Sequence, residues 1–335
     1  MQTPRYIMAL LLSLCLPLSA ATVGYSGLTG AVFDPDGLNS TGDALEHTLL
    51  GSLSLNDGDS ITFNTTNGTF STSTGQSGTV GIASTYESST GDPYAVFNFS
   101  TISIDAGVTI EVEGSNGLAI LSQGDFTLNS NLDFSGQDGT FGTSWRDIGS
   151  APTAGGNISL VAEGTMSIGS GASVNANGGD GGNVYTWWNP APDGDQGAQA
   201  GDISLAANNL ILNGSIEAIG GTGGDGRNQG TDNGGSGGDG GDIVVVADAY
   251  NVTGGTIENT GGATGGGANP ATPVVGEDGT FNGALTDNPG GGAIPLPGDD
   301  IITPPSYIAI PEPSSAFLIV TAGLLYLMRR KRCAA

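Results

Sequence analysis

Three segments of the chain open alike: Gly156-Asn157-Ile158-Ser159-Leu160, Gly201-Asp202-Ile203-Ser204-Leu205 and Gly241-Asp242-Ile243-Val244-Val245. Each is followed by a second apolar run, Met166-Ser167-Ile168, Leu210-Ile211-Leu212 and Tyr250-Asn251-Val252. A third short run comes next, and then a glycine tract: 177–182, 220–226 and 261–267. An earlier copy, with Leu118-Ala119-Ile120, Phe126-Thr127-Leu128 and Leu132-Asp133-Phe134, lacks the glycine excess. The second runs begin at 126, 166, 210 and 250, so successive copies lie 40, 44 and 40 residues apart. A period in that range predicts stacked structural repeats, each burying its apolar face on the next.

The runs alternate apolar and polar, as in Ile-Ser-Leu and Phe-Thr-Leu, so one face is buried and the other wet. They are short, rich in β-formers and punctuated by Gly, Asn and Asp. One repeat therefore reads as one coil of a parallel β-helix, with three strands and three corners. A bare coil stands upstream, where Ile102–Ile110 matches Phe126–Phe134 at a spacing of 24. The longer repeats read as that coil with a glycine loop inserted at one corner. Leu160, Leu205 and Val245 hold equal places and are expected to share one interior column.

The runs Phe97–Ile110 and Gly201–Ala207 resemble the right-handed β-helices of bacterial surface proteins, including filamentous-haemagglutinin-type adhesins. The resemblance covers roughly 170 residues by the extent of the repeats. It implies an all-β, right-handed parallel β-helix with Gly-rich corner loops.

Residues Met1–Ala21 join Arg5 to the apolar run Ile7–Leu18 and end on Ser19-Ala20-Ala21. That is the layout of a secretory signal peptide cut after Ala20 or Ala21. The apolar run is too short to span a bilayer. Both cysteines, Cys15 and Cys333, lie in the terminal segments, so the exported body has none to pair. Basic residues between 22 and 309 are limited to Arg146 and Arg227, in a chain of net charge −26. Such a body repels nucleic acid, and like-charge repulsion keeps a repetitive β-protein soluble.

At the other end, Ile310-Pro311-Glu312-Pro313 leads into the apolar run Ala316–Met328 and then Arg329-Arg330-Lys331-Arg332. The segment resembles the PEP-CTERM sorting signal: a Pro-Glu-Pro box, a short hydrophobic helix and a basic cluster, in that order. The trailing Cys333-Ala334-Ala335 departs from the pattern. Physically, the basic cluster stays cytoplasmic and halts translocation, while 316–328 is short for a lasting span and suits transient inner-membrane insertion. The resemblance implies an exosortase-type peptidase as partner, cleavage near Pro311, Glu312 and Pro313, and a Gram-negative host that makes exopolysaccharide.

Few residues suggest chemistry. Gly237-Gly238-Asp239-Gly240-Gly241-Asp242-Ile243-Val244 fits a Gly-Gly-x-Gly-x-Asp calcium turn, which makes calcium the one ion to consider and Asp239 and Asp242 its ligands. Such turns bind when nonapeptides stack in tandem. Here the other match, Gly178–Tyr185 with Asn183 in the aspartate place, stands about sixty residues away, and one loop offers fewer oxygens than calcium takes. The alternative is a flexible acidic corner loop. Trp187 and Trp188, beside Asn189-Pro190, offer faces for sugar rings or a lid over a coil. A polysaccharide lyase would need a base and cations, yet His47 is the single histidine and the body has no lysine. A hydrolase would need two converging carboxylates, and glycine loops hold side chains poorly in place.

The chain thus divides into a signal peptide (1–21), an N-terminal cap with irregular first coils (22–97), the repeats (98–267), a Pro/Gly/Asp-rich linker (268–309) and the sorting signal (310–332). In the cap, Ala44–Leu50 suggests a helical turn and Ser60–Phe63 a strand; in the linker, Thr280-Phe281-Asn282 is the place for a last strand. The expected protein is non-catalytic, exported to the cell surface or extracellular matrix, and associated with exopolysaccharide. The alternatives are a β-helix carbohydrate-active enzyme and a calcium-dependent adhesin.

Overall fold

The computed structural model describes residues 49–83, 93–140, 150–183, 194–226, 234–252, 254–266, 275–278 and 281–285. These are all-β: eighteen strands and no helix, with most pairing parallel. The predicted helical turn at 44–50 and the hydrophobic helix of the tail lie outside these residues, save Leu49 and Leu50 at the turn's end. Leu49 forms a bridge to Asn98 there.

The repeats pair in the register their alternation dictates. The second runs form β7 (Thr101–Ile104), β10 (Phe126–Leu128), and the later halves of β12 (Ile158–Ile168), β14 (Ile203–Leu212) and β16 (Ile243–Val252). Along them Ile102 pairs with Phe126, Phe126 with Met166, Met166 with Leu210 and Leu210 with Tyr250. The first runs follow β9 (Gly117–Ser122), with Ile120, Leu160, Leu205 and Val245 side by side. The last three of these are almost fully buried, which places them in one interior column as expected. A one-residue slip would turn every apolar side chain of a run outward, so the buried face enforces the register.

First and second runs were expected as separate strands with a corner between them. In the structure β12 carries both, and the register shifts between Ala162 and Thr165. There Asp125 of the preceding repeat accepts the Thr165 N–H through Oδ1 at 2.8 Å. The third runs, β11 (Leu132–Asp133), β13 (Ser173–Asn175), β15 (Ser215–Glu217) and β17 (Thr256–Glu258), stack as a separate parallel sheet. Between second and third runs the chain turns at Gly171 and Gly254, at φ of 96° and 89°, a region that L side chains rarely enter.

At the N-terminal end the pairing changes character. β2 (Ser60–Asn64) is the strand expected at 60–63; it pairs parallel with β8 (Thr109–Glu113) and antiparallel with β3 (Thr69–Thr72). β4 (Ser77–Thr79) extends the antiparallel side, and β1 (Ser52–Leu55) pairs parallel with β7. Between these sheets Phe63, Phe70, Phe97 and Phe99 pack with ring centroids 4.9 to 6.4 Å apart. They fill the end of the apolar interior with large rings. β5 (Ile82–Ala83) adds antiparallel to β6 (Tyr94–Phe99), which begins the column that β9 continues. At the opposite end β18 (Phe281–Leu285) pairs parallel with β16, so strand pairing runs past 267 into the segment expected as a linker.

Candidate functional site

The glycine tracts depart most from expectation. Read as flexible corner loops, they are instead ordered extended legs, laddered from repeat to repeat. Gly178 and Gly181 donate N–H bonds to the carbonyls of Ile219 and Thr222; Gly220 and Gly223 donate to Thr260 and Ala263. The chain then returns through a second set of legs, where Gly197 and Ala200 donate to Ser236 and Asp239. A zigzag joins the two columns: Ala198 donates to Gly179, Gly221 to Ala198, Gly238 to Gly221 and Gly262 to Gly238. Donors recur every third residue, the period of a polyproline II helix and not the two of a strand.

That period explains the composition of the tracts. Asn177-Gly178-Gly179-Asp180-Gly181-Gly182-Asn183 is a Gly-Gly-x pattern in which the glycines meet neighbouring legs and every third residue faces out. A Cβ on Gly221 or Gly238 would run into the carbonyl oxygen of Gly179 or Ala198. Glycine is required there by close approach, as at the axis of collagen, and the layer is held rather than loose.

The outward residues are used as well. Asp138 Oδ1 accepts the N–H of Asp180 at 2.9 Å, and Asp180 Oδ1 accepts that of Thr222 at 2.7 Å. Asn183 serves Asp225 and Asp225 serves Gly266, both at 2.6 Å. On the returning legs Asn157, Asp202 and Asp242 form a similar column, with the N–H of Asp242 donated to Asp202 at 2.9 Å. Sequence reasoning missed this ladder, although a non-glycine at every third place of the tracts was the signal.

The two suggested calcium ligands fall within the ladder. Asp239 Oδ1 accepts the N–H of Glu277 at 2.8 Å, and its Oδ2 accepts Gln199 Nε2 at 3.3 Å. Asp242 takes its place in the Asn157 column, so the motif that suggested an ion turn is one instance of the Gly-Gly-x pattern. Among the described residues no three His, Cys, Asp or Glu side chains converge to hold a metal.

Burial raises the carboxyl of Asp195, between two glycine legs, above the usual aspartate value. Elsewhere the outer face of the stack splits in character. Along β7, β10 and β12 it is a hydroxyl column, Ser103, Thr127 and Ser167. Along β6, β9, β12 and β14 it is a second apolar cluster of Tyr94, Val96, Ala119, Leu121, Val161 and Ala206.

The remaining candidates lie outside the described residues: Ala20 and Ala21, Trp187 and Trp188, Pro311, Glu312 and Pro313, and Arg329, Arg330, Lys331 and Arg332. No helix among the described residues is long and apolar enough to cross a membrane. No family model, curated protein or solved structure matches the chain.

Proposed function

We propose that this chain is the precursor of an exported, non-catalytic scaffold of the cell surface or extracellular matrix of a Gram-negative bacterium. Its body is a right-handed parallel β-helix with a glycine layer on one side, and its tail is a substrate for an exosortase-type peptidase. The observation that carries the non-catalytic reading is the fate of the glycine-tract carboxylates. Asp138, Asp180, Asp225 and Asp239 each accept a backbone N–H of another rung. A glycosidase places two carboxylates across one substrate bond; what supports the non-catalytic reading is that these four are set out along the ladder, each holding a neighbouring rung through Oδ1. Export rests on the sequence: Arg5 and the cluster Arg329–Arg332 flank short apolar runs at the termini, and the body between them is acidic.

The test has two arms. Incubation with exopolysaccharide from the native host should release no new reducing or unsaturated ends; release would move the protein to the carbohydrate-active enzymes. Intact mass of the mature protein from that host should lack both the signal peptide, through Ala20 or Ala21, and Ala316–Arg332. Retention of the tail in the dominant surface species would make the protein a membrane-anchored one.

A further inference from the structure

Among the described residues the glycine legs form two columns, and the outgoing column carries side chains on its outward face. A threefold leg points its N–H groups in three directions. On the outgoing legs the first direction bonds along the column, as Gly178 to Ile219 and Gly181 to Thr222. The second bonds to the returning column, as Gly221 to Ala198 and Gly224 to Asp195. The third direction faces away from the molecule, where a third column of legs would continue the lattice. There the N–H groups of Asp180, Ile219, Thr222, Asp225 and Gly266 are taken by side chains of the preceding rung: Asp138, Asn177, Asp180, Asn183 and Asp225.

We propose that these side chains are edge caps, which prevent the glycine layer of a second copy of this chain from docking as the next column. Two properties act together. Each cap satisfies a donor that would otherwise offer a template, as an unpaired strand edge does. Each also carries a Cβ, whereas on the inward sides of the same legs Gly178, Gly181, Gly220, Gly221, Gly223 and Gly224 have none, and a Cβ on any of these would strike a neighbouring carbonyl. A leg with glycine at the outward places would present the same surface outward that it presents inward. Charge alone is not the device, because Asn177 and Asn183 make the same contact as the aspartates.

The experiment compares D138G/D180G/D225G with D138N/D180N/D225N, which lose the same three charges while only the second keeps acceptor and Cβ. Light scattering after size exclusion should show the glycine variant in larger assemblies than the unmodified chain, and the asparagine variant unchanged. Amide exchange gives a second readout within one molecule: Thr222 should exchange about tenfold faster in D180G and near its original rate in D180N. If the triple glycine variant does not fold, D180G alone is taken through both readouts. Assembly by both triple variants would assign the effect to charge and overturn the proposal. So would a folded glycine variant with unchanged assembly, or Thr222 exchange unaltered in D180G.

Discussion

At the scale of the residue, position in the repeat decides what a substitution does. Leu205 sits between Leu160 and Val245 in the interior and is 1% exposed. Leu205→Asp would bury an unpaired charge, so a loss of about 3–5 kcal/mol is expected by chemical denaturation. An unchanged midpoint would refute the register. Asp195 has the opposite sense. Burial lifts its folded-state pKa, so the ionised form is disfavoured in the fold. It therefore costs stability above the folded pKa, and the cost fades as pH falls through that value toward the unfolded one. Asp195→Asn should raise the melting temperature at neutral pH, the gain disappearing in acid. Since the group is only partly buried, the gain is expected to be small.

At the scale of the element, sheet and glycine layer follow different rules. Strand positions were legible because Ile-Ser-Leu and its equivalents alternate with period two, and Ser60–Phe63 was legible for the same reason. The legs were not, because glycine has no side chain whose polarity could announce a face. Gly221 and Gly171 illustrate the difference. Gly171→Ala meets open space and strains only the backbone, so a loss of about 1–2 kcal/mol is expected. Gly221→Ala drives a methyl into the Gly179 carbonyl and should cost several times as much. Equal losses in thermal unfolding would show that the legs are not close-packed.

In the molecule taken whole, the glycine ladder and the parallel sheets both pair one repeat with the next. Stability then accumulates between neighbouring repeats, none of which carries a cysteine. The ladder also bears on calcium. With Asp239 bound to Glu277 N–H and Gln199, chelator should leave the melting temperature nearly where it was. A large chelator-dependent fall would favour the calcium-dependent adhesin.

Repeats, strand register and the interior column were legible in the chain alone. Each follows from side-chain alternation within a few residues, repeated at a spacing the chain carries openly. Three things were decided only by the tertiary structure: the antiparallel strands and phenylalanines at the N-terminal end, the apolar cluster around Val96 and Leu121, and the order of the glycine legs. In each case the deciding partner lies far along the chain. Phe63 meets Phe97, Leu121 meets Val161, and the Gly221 N–H meets Ala198 while its Cα faces Gly179. A glycine tract states only that close approach is permitted; which carbonyl comes close depends on the neighbouring rungs.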